Sequence, residues 1–196
     1  MKLTRTYTMG SRADGVTATR ERIARAAMAL FLEHPYEDVT LAGIAKAAGV
    51  SHQTVLNHFE SKDGVVLGVA ELLKTETRSA RNDATPGDVP SAVRALVGDY
   101  EHMGDANFRW AASERLDNLA ELLDEARAGH QEWIVTMFGD RLPTTPVARR
   151  RAIHALHAAT DVYTWKLLRR DLRQSRAETE KTIVDLVVGL LEGTAR

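Results

Sequence analysis

Cysteine is missing from all 196 residues, which excludes disulfides and thiolate metal sites. No apolar run approaches the roughly 20 residues that a membrane-spanning helix needs. The opening MKLTRTYTMGSRADG has no apolar core of the kind that marks a secretory signal, so the cytoplasm is the expected location. Aromatic residues make up only 6% of the chain, and its three tryptophans, Trp110, Trp133 and Trp165, all lie in the C-terminal part. A large excess of either charge is also absent, the net value being −1. It is unevenly spread: residues 1–62 hold 8 Lys/Arg against 6 Asp/Glu, which leaves the remainder at −3. That bias is small but has the sign a nucleic-acid-binding segment requires. Familiar catalytic signatures are missing: there is no Gly-rich phosphate loop, no Gly-x-Ser-x-Gly turn and no Glu-x-x-His pair of the helical di-iron kind.

What remains is helix. Nothing alternates as a strand would, and 44% hydrophobic content is ample for a core, so the predicted fold class is all-α. A first helix is expected over Thr19–Glu33, with Ile23, Ala26, Ala27, Leu30 and Phe31 as its apolar stripe and Pro35 as its stop. A longer one is expected from Ser61 to Arg81, before the loop NDATPGDVP at Asn82–Pro90. Ser91–Met103 reads as the next helix and Gly104–Asn107 as a break. A short helix, Phe108–Leu116, and a long one, Asp117–Phe138, should follow, the second ending in GDRLPTTP. Val147–Arg170 and Arg176–Glu192 complete the pattern.

The chemistry concentrates in TLAGIAKAAGVSHQTVLNHFESK, Thr40 to Lys62. Leu41, Ile44, Ala45 and Ala48 lay an apolar stripe on one short helix, with Thr40 placed to cap its start. Gly49 follows where a left-handed residue ends a helix at no steric cost. Val50 plugs the corner, and Ser51 caps a second helix, His52 to about His58, whose inward residues are Val55 and Phe59. Helix, three-residue turn, helix is the helix-turn-helix layout. The outer face of the second helix carries His52, Gln53, Thr54, Asn57 and His58. Gln and Asn can bond a base edge through two atoms, and Ser or Thr can reach phosphate or base. An ordinary helical corner with a polar face is the alternative.

Together with Arg20–Phe31, this stretch resembles the DNA-binding domain of the TetR/AcrR family of bacterial transcriptional regulators. That family's pattern, T-x-x-x-I-A-x-x-A-G-V-S followed by a recognition helix and F-x-S-K, is met in register by Thr40, Ile44, Ala45, Ala48, Gly49, Val50, Ser51, Phe59, Ser61 and Lys62. Leu56 stands where many members have a phosphate-contacting Tyr, His58 where another aromatic is common, and Pro35 where a glycine usually follows the first helix. The resemblance implies a helix-turn-helix domain over residues 19–64, preceded by an arm at 1–18, and a helical effector-binding and dimerisation domain over 65–196. Thr40, Ser51, His52, Gln53, Thr54, Asn57, His58 and Lys62 are the implied DNA-binding residues. Arg5, Arg12, Arg20, Arg22 and Arg25 could add phosphate or minor-groove contacts, or Met1–Gly15 could be a tail with no role.

The partners implied are double-stranded operator DNA, a small apolar or amphipathic effector and a second copy of the chain, with no membrane and no cofactor. Phe108, Trp110, Trp133, Met137 and Tyr163 are candidates to line the effector pocket, though aromatics at helical spacing equally build a core. Ala155, Ala159, Val162, Ile183, Leu186, Val187 and Leu190 are candidates for a four-helix dimer interface, against plain intramolecular packing. His154, His157 and Asp161 share a helical face with acceptable metal-ligand spacing, but lack a nearby second carboxylate or Cys, so no metal site is expected. The function expected is a ligand-responsive repressor rather than an enzyme. The rival is a helical small-molecule or metal-dependent enzyme with an incidental helical corner.

Overall fold

The computed structural model describes residues 10–111 and 117–193. Its regular structure over those residues is all helical: α1 (Gly10–Glu33), α2 (Leu41–Ala48), α3 (His52–Phe59), α4 (Lys62–Arg81), α5 (Val89–Ala111), α6 (Asp117–Phe138), α7 (Pro146–Thr160), α8 (Val162–Lys166) and α9 (Arg176–Gly193). Contacts divide the chain into two compact units, residues 1–73 and 74–196, with the division inside α4.

In the first unit α1 packs on α2 and α2 on α3. Its core includes Ile23, Ala27, Ile44, Ala45, Val55 and Phe59 from the apolar positions read in the sequence, together with Val39, Val65 and Val69. The first helix starts earlier than Thr19: it is already formed by Gly10. Nothing between Gly10 and Thr19 prevents helix, and the Thr19 hydroxyl, instead of capping a start, donates back to the Gly15 carbonyl at 2.8 Å.

In the second unit α5 packs on α8 and α9, α7 on α9, and α6 on α7. One cluster containing Val93, Leu96, Ile134, Phe138, Leu156, Trp165, Ile183 and Val187 forms its core. Two expected boundaries are corrected. The break at Gly104–Asn107 and the separate helix at Phe108 do not exist, because α5 runs unbroken to Ala111. Gly104 is there for packing: a Cβ on it would lie 2.5 Å from the fully buried Trp165 indole. Conversely, the single helix expected over Val147–Arg170 is interrupted at Asp161, whose backbone is extended (φ −75°, ψ 155°) and whose side chain accepts from the Tyr163 N–H to cap α8. A π-helical turn, Leu167–Asp171, follows α8. It is held by Arg169, which donates to both Glu101 oxygens at 2.6 and 2.9 Å, and by Arg170, paired with Asp105 at 2.9 Å. Residues 112–116 of the expected short helix Phe108–Leu116 lie outside the described residues.

Candidate functional site

The helix-turn-helix is built by side chains that satisfy its own free backbone groups. Thr40 accepts from the Gly43 N–H at 3.0 Å and Ser51 from the Thr54 N–H at 3.0 Å, so both helices are capped at their starts. Gly49 is left-handed (φ 64°, ψ 37°), the conformation that the turn requires. Val55 and Phe59 are buried, which turns Ser51, His52, Gln53 and Asn57 outward into solvent, with Thr54 and His58 half-buried. Gln53 Nε2 donates to Asn57 Oδ1 at 2.9 Å. The two amides therefore form one pre-ordered unit, with further donor and acceptor capacity on each.

Lys62, one of the implied DNA-binding residues, is held by the loop before α2. Its ammonium donates to the Tyr36 carbonyl and lies 3.9 Å from the centroid of the Tyr36 ring. Burial lowers its pKa, with Glu37, Asp63 and Asp38 opposing that effect. Tyr36 in turn donates to Asp63 Oδ1 at 2.6 Å, and burial together with that bond pushes its phenol up to about 12. Tyr36 and Lys62 thus tie the loop before α2 to the start of α4. The arginines of α1 also turn to the protein: Arg20 donates to the His58 carbonyl, Arg22 to the Ala48 carbonyl at 3.1 Å, and Arg25 pairs with Glu21 at 2.8 Å. Lys46, exposed in the last turn of α2, was not singled out by sequence reasoning. Its position opposite the Ile44, Ala45 and Ala48 stripe was the available signal. Arg5 and Arg12 lie outside the side chains described.

The second unit carries a buried polar network. Arg81 pairs with Asp99 at 2.9 Å, their side chains 8% and 1% exposed, and its Nη1 donates to His130 Nδ1 at 2.9 Å. His130 Nε2 meets the Thr160 hydroxyl at 2.9 Å, and that hydroxyl donates to the Leu156 carbonyl at 2.7 Å. This chain of donors fits neutral His130 protonated on Nε2. Burial first, then the Arg81 guanidinium and His157, hold its pKa well below 6.5. Trp133 stacks on His130 with ring centroids 5.6 Å apart, and its buried indole N–H has no acceptor among the described residues.

Of the expected pocket residues, Met137 is core, Phe108 and Trp133 are half-buried against the core, and Tyr163 is 48% exposed with its ring edge-on to Phe108 at 5.3 Å. The Trp110 side chain lies outside the described residues. An open depression of about 610 Å³ is lined by Gln131, His154, His157, Asp161, Tyr163 and Thr164, so Tyr163 alone of the expected set borders it. His157 Nε2 lies 3.2 Å from Asp161 Oδ2, and His154 is exposed. Four residues expected at a dimer interface are instead interior to the chain: Ala159, Val162, Ile183 and Val187 are buried by its own helices. Periodicity identifies an apolar face but not what covers it. Leu186 is 44% exposed, while Ala155 and Leu190 are half-buried.

Residues 23–69 match the model of the bacterial regulatory proteins, tetR family. Over 124 residues, 55% of this chain, the sequence is 32% identical to the HTH-type transcriptional regulatory protein RaaS of Mycobacterium tuberculosis, of which the match covers 57%. The chain spans about half the length of the curated relatives it matches. In fold it is similar to a tetR-family transcriptional regulator from Streptomyces coelicolor, with a TM-score of 0.72 at 17% identity over 91% of this chain and 82% of that one. It is also similar to SmeT in its triclosan complex, with a TM-score of 0.64 at 18% identity over 88% of this chain and 90% of that one. At such identities the structural likeness establishes the fold.

Proposed function

We propose that the chain, whose residues 23–69 match the model of the bacterial regulatory proteins, tetR family, is a dimeric repressor that a small molecule releases from operator DNA. The observation that carries this reading is the outward face of α3. Gln53 and Asn57 stand exposed on a helix capped at its start and anchored by Val55 and Phe59, as base recognition in a major groove requires. Lys46 supplies a phosphate contact from α2.

The effector acts on the second unit. Triclosan in the SmeT complex is a precedent for a small apolar ligand in this fold, and the Trp133 indole N–H, without an acceptor among the described residues, favours one that carries a hydrogen-bond acceptor. Effector binding changes the position of α4, and two half-sites can then no longer be engaged together. Leu186, Leu190 and Ala155 are the apolar side chains of the expected interface left to meet a second copy. The rival reading, a helical enzyme, has no support in the similarities found.

Selection of random DNA duplexes by the purified protein tests the proposal. A palindromic site with half-sites centred about 34 Å apart is the expected product. Enrichment of a single unpaired half-site would reject the dimeric reader, and no enrichment would reject DNA recognition itself.

A further inference from the structure

Residues 1–62 carry a slight excess of positive charge, yet the described cations of the N-terminal unit are mostly bonded to groups of the protein itself. Arg20 donates through Nη1 to the carbonyl of His58, in the last turn of α3, and its guanidinium lies 4.2 Å from the centroid of the Phe59 ring. Arg22 donates through Nε at 3.1 Å to the carbonyl of Ala48, the last residue of α2. Residues two apart on a helix differ by about 200° around its axis. The two arginines therefore leave α1 on nearly opposite sides, and each grips the end of a different helix of the motif.

Each grip is chemically specific. The last carbonyls of a helix have no intrahelical donor, and that end of the helix dipole favours positive charge. The chain also turns sharply beyond both anchors, at Gly49 (φ 64°) and at Glu60 (φ 62°). Glu60 has a side chain, so its positive φ, with ψ at −39°, is held against a steric preference. The recognition helix is only eight residues long, and its pose is sensitive to small rotations. At a side-chain radius of roughly 6 Å, a roll of about 15° moves an outer atom by about 1.5 Å. That is enough to break a hydrogen bond to a base edge.

We infer that Arg20 and Arg22 are positioning residues for base recognition, which set the pose of α3 and α2, and that they are not phosphate contacts. Electrostatic attraction falls instead to Lys46, a cation of the motif for which no partner is found among the described residues. This inference rests on the proposed DNA-binding function and concerns which cations serve it.

The two roles leave different signatures in salt dependence and specificity. Losing a phosphate contact weakens binding to all sequences alike and lowers the salt slope by about one. Losing a positioning contact weakens the selected site and leaves non-specific affinity and slope in place. The test compares Arg20→Met, Arg22→Met and Lys46→Met, which remove the same charge, on the selected duplex and on a scrambled one from 50 to 200 mM salt. Wild type is measured first, and its failure to prefer the selected duplex would remove the DNA-binding premise itself. With wild type specific, Arg20→Met and Arg22→Met should lose about tenfold or more of the specificity ratio, within the range such ratios span. Their slope should match wild type, while Lys46→Met keeps the ratio and loses slope.

A slope reduced by about one in either arginine variant, with loss on both duplexes, would overturn the inference. So would an unchanged ratio in both, because the grip would then be structural only. Should Arg20→Met fail to fold at the assay temperature, Arg20→Lys replaces it. A phosphate role predicts that this charge-preserving change is silent, whereas positioning predicts lost specificity, since an ammonium lacks the planar face that lies over Phe59.

Discussion

A single methyl group at position 68 reports how closely α3 is seated on α4. The Cβ of an alanine there would lie 2.2 Å from Phe59 Cε1, so the ring at the end of α3 must shift. Overpacking of this kind costs about 1–3 kcal/mol, against roughly 1 kcal/mol of helix propensity gained, so Gly68→Ala should lower stability. Gly129→Ala, in α6 with no atom within 4 Å of the added carbon, should instead raise it by up to about 1 kcal/mol. Thermal melts of the two variants moving in the same direction would contradict the packing described. His130 gives the pH dependence. Its folded pKa is depressed, so the unfolded chain binds the extra proton first and stability rises with pH in that window. The contribution is complete above about pH 6.5 and declines as pH falls towards the folded pKa. Urea midpoints from pH 7.5 to 5 should show a steeper decline for wild type than for His130→Gln; equal slopes would remove His130 from the cause. Arg81→Met, which leaves Asp99 buried without its guanidinium, should cost about 3–5 kcal/mol.

At the scale of elements, the helix-turn-helix was legible because its determinants are local. Thr40, Gly49 and Ser51 each act within four residues of their own position, and the stripe from Ile44 to Ala48 needs only helical periodicity. The C-terminal unit was less legible because its determinants are distant. Gly104 resembles a helix break until Trp165, sixty-one positions later, is found where a side chain would be. Asp161 lies in a continuous helical pattern, and its extended backbone and its bond from the Tyr163 N–H show that it starts a new helix. The charges of Arg20 and Arg22 are visible in the sequence, while the carbonyls that receive them, those of His58 and Ala48, are visible only in the fold. The element expected to link the two activities is α4, which passes from one compact unit into the other. One residue inserted near Leu72 rotates everything beyond it by about 100°. If folded, such a variant should keep operator or effector binding and lose the dependence of one on the other. Preserved coupling would exclude α4 as the link.

For the whole molecule, the proposals become linked equilibria. Trp110, Trp133 and Trp165 all lie outside the helix-turn-helix, so intrinsic fluorescence reports the second unit alone. An effector should change that emission and release a labelled operator in the same titration. Coupling is reciprocal, so operator-bound protein must bind the effector more weakly by the same factor, typically about 5- to 150-fold. An effector that shifts the fluorescence and leaves operator affinity unchanged would end the induction mechanism while leaving DNA recognition intact. Every one of these equilibria depends on recognition of DNA by α3. The most direct measurement is duplex selection with wild type beside the Gln53→Ala, Asn57→Ala double variant, whose lost amides form the exposed pair on α3. Wild type should enrich one ranked family of sites, and the variant should lose preference at particular base pairs by about 1–3 kcal/mol for each lost bidentate contact. Identical ranked sequences from the two proteins would show that α3 does not read the DNA.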